Sequence, residues 1–218
     1  MVDPLHIAQL LCTRLCHDLA GPIGAVSAGV ELMGTDPSLI DDETLTLLSG
    51  SAEAASRKLK FLRIAFGSAG SGSIPLKQLG SALEDYLIAT SGPSGGPKLY
   101  WPDQPAFEPV SQRLGGHVAH MLANIALLGL ELQPACRSLT VSVDDIGERV
   151  SVNVLNRPAR EKISVREELI RLFDGAQGQD MTPQNIHACL VRELVTQSRG
   201  QISLSNEVDG TLTKVSWR

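Results

Sequence analysis

His17 and the adjacent Asp18 are the residues whose types and spacing most directly allow a reaction in this chain of 218 residues. A neutral imidazole, with a pKa of about 6.5, is a competent nucleophile at physiological pH and can carry a phosphoryl group. A neighbouring carboxylate can hold one ring nitrogen, which fixes the tautomer and leaves the other nitrogen free to attack. The pair therefore predicts a nucleophilic site with His17 as the carrier and Asp18 as the residue that orients it.

The residues around this pair would let a partner protein approach. Ala20, Gly21 and Gly24 are small and keep the surface beside the histidine low, so a bulky partner can bring its own active site to the imidazole. Arg14 lies one helical turn before His17, where a guanidinium can meet a phosphate or an acidic pocket, and where a solvated role is equally compatible. We therefore expect Arg14, Ala20, Gly21 and Gly24 to form part of a partner-binding surface.

An amphipathic helix must position these residues. Asp3 as N-cap and Pro4 at the first helical position predict its start, and Gly34 followed by Pro37 predicts its end. Apolar residues recur at steps of three and four and predict one buried stripe, formed by Cys12, Leu15, Leu19, Ile23, Val26, Val30 and Met33. Because His17 is two residues from both Leu15 and Leu19, we expect it on the opposite, exposed face of the helix.

A second helix follows, with the cleanest periodicity in the chain. Its apolar positions alternate at steps of three and four: Leu45, Leu48, Ala52, Ala55, Leu59, Leu62 and Phe66. Two antiparallel helices cannot bury a core between themselves, so this hairpin needs further helices. The economical solution is a two-fold homodimer in which two hairpins form a four-helix bundle. The alternative is a hairpin that lies against its own C-terminal region.

The composition divides the chain into two parts. Residues 68–73 read Ser-Ala-Gly-Ser-Gly-Ser, which predicts a flexible linker. We therefore expect a helical-hairpin domain over 1–67, a linker over 68–75 and an α/β domain over 76–218. In the last of these, the patterns predict helices over 76–89, 110–132, 165–173 and 183–198, and strands over 98–101, 138–143, 149–155, 201–205 and 211–217. This segregated order predicts an α+β sandwich with helices on one face of a mixed sheet.

Charge and composition exclude several classes of partner. The net charge is −5, from 19 Lys and Arg against 24 Asp and Glu, and no basic run occurs, which argues against nucleic acid as the partner. The most apolar stretch, residues 121–130, is about half of the roughly 20 residues that a membrane span requires. The four cysteines form no C-x-x-C pair and no leader pattern is visible, so we expect a cytoplasmic protein. His117 and His120 share a helical face but have no acidic or cysteine partner nearby in sequence, so we expect no metal site.

The segment around His17 resembles a known motif. Residues 17–23, His-Asp-Leu-Ala-Gly-Pro-Ile, are similar to the phosphoacceptor box of sensor histidine kinases, which reads roughly His-Glu-Leu-Arg-Thr-Pro-Leu. The order of hairpin and α/β region also resembles their dimerisation and ATP-binding domains. Ala20 stands where the kinases usually have Arg, and Gly21 where they carry the Thr or Asn that supports phosphatase chemistry, so the resemblance does not extend to that activity.

The C-terminal region resembles a kinase ATP-binding domain whose nucleotide site is dismantled. Asn124 occupies the place of the kinases' magnesium-binding asparagine, but Leu127 and Leu128 follow on the phosphate side. Residues 156–161 lack the aspartate and both glycines of the kinases' Asp-x-Gly-x-Gly turn, and residues 174–178 keep two glycines without the spacing of the lid. We therefore expect a preserved scaffold that does not bind ATP.

A chain that keeps the phosphoacceptor and loses ATP is similar to the ChpT-type bacterial histidine phosphotransferases, which are dimeric and cytoplasmic. This resemblance implies that His17 takes a phosphoryl group from the receiver domain of a hybrid histidine kinase and passes it to response regulators. It implies no cofactor of the chain's own, because the receiver would bring the Mg²⁺. Two alternatives stay open: an ATP-dependent histidine kinase, and a non-catalytic dimeric adaptor that sequesters a response regulator.

Overall fold

Two long helices open the chain in the computed structural model, which describes residues 4–36, 41–67, 74–91, 96–133, 135–159, 167–173, 182 and 185–218. Helix α1 spans Pro4–Thr35 and helix α2 spans Asp42–Phe66, in agreement with the periodicity. Asp41 caps α2, because its carboxylate accepts hydrogen bonds from the Thr44 backbone N–H at 2.8 Å and the Thr44 hydroxyl at 2.7 Å. Asp3 lies outside the described residues, so its capping role stays a prediction.

The remaining elements form a mixed α/β region. They are α3 (Leu76–Ser91), β1 (Lys98–Tyr100), α4 (Glu108–Leu114), α5 (Val118–Leu132), β2 (Cys136–Ile146), β3 (Arg149–Pro158), α6 (Glu167–Phe173), α7 (Ile186–Gln197), β4 (Gln201–Glu207) and β5 (Gly210–Trp217). Within the described ranges, none of the helices combines the length and the apolar character that crossing a membrane requires.

The single helix predicted over 110–132 is wrong, because it is interrupted in the middle. Gly115 has a φ of +54°, a left-handed conformation that favours glycine, and it ends α4. A short 3₁₀ turn over Gly115–His117 then leads into α5. The break separates the short helix α4 from the mostly apolar helix α5, which packs in the core.

The sheet has five strands in the order β1-β2-β3-β5-β4. Strand β1 pairs with β2 in parallel, with Lys98 opposite Ser138, and all other pairs are antiparallel. Helix α5 packs across β2, β3 and β5. The expected mixed sheet with segregated helices is confirmed.

One continuous hydrophobic core joins the end of the hairpin to the α/β region. Phe61, Leu62 and Ala65 of α2 are fully buried in the same cluster as residues of α3, α5 and the sheet. Helix α1 also contacts α7. The hairpin therefore lies against its own C-terminal region at this end, as the alternative arrangement predicted. The division into domains stays a prediction, and residues 68–73 of the linker lie outside the described residues.

The predicted buried stripe of α1 is only partly covered within one chain. Leu15, Leu19, Val26 and Met33 are half-buried, whereas Cys12, Ile23 and Val30 are exposed. The prediction that Cys12 is part of the core is therefore wrong for the single chain. The physical reason is that the apolar stripe is wider than the surface that the neighbouring helices cover.

The second helix of the hairpin also leaves part of its apolar stripe uncovered. Leu45 and Leu59 of α2 are about half exposed, at 45% and 51% of their surface, against 54% for Ile23 and 59% for Val30. We refer to Ile23, Val30, Leu45 and Leu59 as the open apolar stripe.

Candidate functional site

His17 lies on α1 with 88% of its side chain exposed, as its position opposite the apolar stripe predicted. Its Nδ1 atom is 3.5 Å from Oδ1 of Asp18, at the outer limit of a hydrogen bond. A proton on Nδ1 would face this carboxylate, so the lone pair of a neutral ring would be on Nε2. The arrangement therefore offers Nε2 as the nucleophilic atom.

Small residues lie next to His17 on the exposed face of α1. Ala20, Gly21 and Gly24 are exposed and share a helical face with His17, at separations of three, four and seven residues. A Cβ atom built on Gly21 or Gly24 meets no other atom within 4 Å. Helix α1 continues through Pro22, so these residues lie on one continuous helix. Their role in binding a partner stays a prediction.

Arg14 is turned towards the C-terminal region and is not free. Its Nη2 atom is 2.7 Å from Oε1 of Glu131 on α5, and its Nε atom is 3.6 Å from Oδ2 of Asp18. Only 19% of the Arg14 side chain is exposed. The guanidinium therefore bridges the carboxylate beside His17 and a carboxylate of the α/β region, and its contact with a partner stays a prediction.

A buried polar cluster, which the sequence reasoning missed, continues from Arg14 into the core. Nδ1 of His187 is 3.0 Å from Oε1 of Glu131, and Nε2 of His187 is 3.1 Å from Oδ1 of Asn124. The amide of Asn124 donates to the backbone carbonyls of Ala65, at 2.6 Å, and of His120, at 2.8 Å. His187 and Asn124 are fully buried. Asn124 and Glu131 are seven residues apart on one face of an apolar helix, a spacing that signals a buried polar pair.

Burial and charge around the site change the acidity of Tyr86. Desolvation strongly raises the pKa of this phenol, and the negative charges of Asp18 and Glu131 raise it further. Tyr86 therefore stays neutral at physiological pH. Tyr86 lines one cavity together with Arg14 and Glu131, so α3 is close to the junction of α1 and α5.

The chain is similar in sequence to a known protein phosphotransferase. No protein-family model matches the chain. The protein phosphotransferase ChpT of Brucella abortus (strain 2308) is 29% identical over 181 residues, which cover 82% of this chain and 79% of the relative. The expected resemblance to ChpT-type phosphotransferases is confirmed. This similarity supports a phosphotransferase role for the chain.

Solved structures agree on the fold. The structure of a bacterial phosphotransferase aligns with 99% of this chain and 98% of its own length, with a TM-score of 0.76 and 22% identity. The histidine kinase ThkA in complex with the response regulator protein TrrA aligns with 97% of this chain and 62% of its own length, with a TM-score of 0.50 and 14% identity. At these identities the likeness shows a shared fold: N-terminal helices followed by an α/β region that resembles histidine kinase ATP-binding domains.

Two asparagines in the segments that resemble a kinase nucleotide site are buried and hydrogen-bonded within the protein. Asn124 is fully buried, and both its amide and its oxygen already have protein partners. Asn156, at the start of the segment that replaces the kinases' glycine-rich turn, is also buried and donates to the carbonyl of Gly129. Residues 160–161 and 174–178 lie outside the described residues. The absence of ATP binding therefore stays a prediction, which the burial of Asn124 supports.

His117 and His120 are separated by the start of α5, since His117 ends the 3₁₀ turn. Burial lowers the pKa of His120, and the neighbouring His117 lowers it further. In the part of the chain that the structure describes, no three His, Cys, Asp or Glu residues cluster as metal ligands would. His120 is therefore a neutral, partly buried residue at physiological pH.

Proposed function

We propose that this chain is a histidine phosphotransferase of a multistep phosphorelay, in which His17 shuttles a phosphoryl group between receiver-domain aspartates without binding ATP. The observation that carries the proposal is the 88% exposed His17, whose Nδ1 faces Asp18 at 3.5 Å on a low helical surface. The similarity to a ChpT phosphotransferase supports it.

The proposed reaction is an in-line displacement at phosphorus. The Nε2 lone pair of His17 attacks the aspartyl phosphate, a nitrogen–phosphorus bond forms, and the bond from phosphorus to the aspartate oxygen breaks. The electron pair of that bond leaves with the receiver's carboxylate. The proton stays on Nδ1, where Asp18 stabilises the positive charge that develops on the ring. The same steps in the opposite direction transfer the phosphoryl group from His17 to the aspartate of a second receiver.

We further propose that the receivers are those of a hybrid histidine kinase and of response regulators. A receiver would bring the Mg²⁺ that neutralises the phosphoryl oxygens, so this chain needs no cofactor of its own. Its contribution is to hold the nucleophile in position. The exposed Ala20, Gly21 and Gly24 support this interpretation, because they leave room for a globular partner beside His17.

The proposal includes a homodimer in the cytoplasm. The open apolar stripe exposes large apolar side chains on both helices of the hairpin. A second copy would cover this stripe and complete a four-helix bundle, which would bury surface that a monomer leaves in water. Such a dimer would present two His17 side chains.

The test is phosphoryl transfer from a labelled phospho-receiver to the chain in the absence of ATP. We expect acid-labile, alkali-stable label on the wild type and none on His17→Ala. His6→Ala is the matched control, because His6 is also exposed on α1, and it should accept label normally. No label on the wild type with several receivers would contradict the proposal and favour the adaptor.

A further inference from the structure

A line of polar contacts runs from the surface at His17 into the core of the α/β region. It passes from Asp18 through Arg14 to Glu131, at 3.6 and 2.7 Å, and from Glu131 to His187, at 3.0 Å. At its inner end His187 contacts Asn124, whose amide is held by a carbonyl of α2. The contacts therefore join the hairpin, α5 and α7.

The protonation of the inner residues follows from their partners. The Asn124 amide faces two backbone carbonyls, so its oxygen faces His187 and can only accept. Nε2 of His187 must therefore carry a hydrogen. Nδ1 of the same ring lies 3.0 Å from Oε1 of Glu131, a close contact without hydrogen-bond geometry. The inner end is consequently fixed in one orientation.

The position of Arg14 and Asp18, at the outer end of the line, depends on Glu131 and His187 further in. Oε1 of Glu131 contacts both His187 and the Arg14 guanidinium, and the Glu131 side chain is only 16% exposed, so its carboxylate acts on Arg14 with little screening by water. Arg14 in turn shares its charge between Glu131 and Asp18. Without the Glu131 charge, the guanidinium would be drawn towards Asp18, because these two residues are one turn apart on α1. The Asp18 oxygen that faces His17 would then be reoriented.

We propose that Glu131 and His187 are positioning residues for phosphoryl transfer at His17, acting through Arg14 and Asp18. This inference rests on the proposed function. It assigns the α/β region a part in the reaction: the partly buried Glu131 and the buried His187 set the orientation of Asp18, and thereby the His17 tautomer with the lone pair on Nε2.

The test measures the rate of phosphoryl transfer from a labelled receiver to Glu131→Gln, Arg14→Gln and the double variant. We expect the rate at saturating receiver to fall about tenfold in Glu131→Gln, with label still on His17, because misorientation by less than 1 Å has effects of this order. The double variant should be no slower than the slower single variant, since both substitutions break the same link. Glu193→Gln, on the exposed face of α7, is the matched control and should transfer at the wild-type rate.

Two further measurements separate positioning from a loss of folding. Glutamine has nearly the shape of glutamate, and its amide can either donate to or accept from Nδ1 of His187, so circular dichroism of Glu131→Gln should show a native fold. The second measurement is the nitrogen-15 chemical shifts of the neutral His17 ring. In Glu131→Gln these shifts should show a smaller fraction of the tautomer protonated on Nδ1 than in the wild type. If Glu131→Gln does not fold, Arg14→Gln alone tests the link, because Arg14 is partly exposed.

The outcomes distinguish this inference from the proposed function. If the wild type accepts label and either Glu131→Gln or Arg14→Gln transfers at the wild-type rate with an unchanged His17 tautomer, the positioning role is wrong and the proposed function stands. Multiplicative effects in the double variant would also overturn the positioning role. If the wild type accepts no label, the proposed function fails and the inference fails with it.

Discussion

At the scale of single residues, the nucleophile is exposed and the charged residues proposed to orient it are more buried. His17 is exposed enough to meet a partner, whereas the groups that act on it are progressively more buried, from Asp18 to Glu131 and His187. A charge at the surface is screened by water and salt, and a buried one is not. The most effective electrostatic control of an exposed nucleophile therefore comes from beneath it.

The role of Asp18 leads to a first prediction. Asp18→Asn removes the negative charge that would stabilise the developing imidazolium and lets the amide donate or accept, so the ring tautomer is no longer fixed. We expect the transfer rate to fall by about tenfold or more, without loss of folding. The measurement is single-turnover transfer from a phospho-receiver, with Asp42→Asn in the exposed first turn of α2 as control. Equal rates for wild type and Asp18→Asn would contradict the role.

The burial of His120 leads to a prediction about pH. Its pKa is lowered in the folded chain, mainly by burial, so between this lowered value and the ordinary value of about 6.5 the unfolded chain binds more protons. The free energy of unfolding therefore decreases as the pH falls below about 6.5. In His120→Gln this decrease should be smaller, as measured by urea unfolding at several pH values. His6→Gln should retain the wild-type decrease; a loss there as well would contradict the assignment to His120.

At the scale of elements, one glycine determines how closely the two hairpin helices approach. A Cβ atom on Gly29 of α1 would overlap the side chain of Leu48 on α2, whereas a Cβ atom on Gly50 of α2 meets nothing within 4 Å. Gly29 therefore serves the close packing of α1 on α2, and Gly50 does not.

We therefore expect opposite effects from the same substitution. Gly29→Ala should lower the free energy of unfolding by about 1–3 kcal/mol through overpacking. Gly50→Ala should raise it by about 0.5–1 kcal/mol, because alanine is the better helix former in open space. Thermal or denaturant unfolding of the two variants checks the pair, and a stabilising effect of Gly29→Ala would show that the helices are not tightly packed there.

The sequence predicted those features that depend on neighbouring residues. The two hairpin helices, the exposure of His17 and the positions of the strands all follow from local periodicity. The break at Gly115 was missed, because a left-handed glycine inside an apolar run looks like any helical glycine. The cluster of Asn124, Glu131 and His187 was also missed, because it brings together two helices that are distant in sequence. The periodicity of α1 also does not show which residues of its apolar stripe are buried, because this depends on which helices pack against it.

At the scale of the whole molecule, the open apolar stripe predicts the state of association. The double variant Ile23→Glu, Leu59→Glu places a carboxylate at two positions that the proposed bundle would bury. Burying these charges costs several kcal/mol. We expect this variant to be a folded monomer at micromolar concentration, because both side chains are exposed in the single chain.

Light scattering coupled to size-exclusion chromatography checks this expectation. Ala28→Glu is the control, since Ala28 is exposed on the other side of α1 and the substitution should leave a dimer intact. A wild-type chain that elutes as a monomer would contradict the proposed dimer. A dimer that persists in the double variant would show that the second copy binds elsewhere.

The burial of Phe61, Leu62 and Ala65 in the shared core also bears on how such proteins diversify. A hairpin exchanged between two relatives by recombination at the linker would bring foreign side chains against α3 and α5. The hydrogen bond from Asn124 to Ala65 would survive any such exchange, because its acceptor is a backbone carbonyl. The packing of Phe61 and Leu62 would not survive unless the facing residues changed with them. The proposed partner surface of the hairpin is therefore expected to be inherited together with the faces of α3 and α5 that pack against it, and not as an interchangeable module.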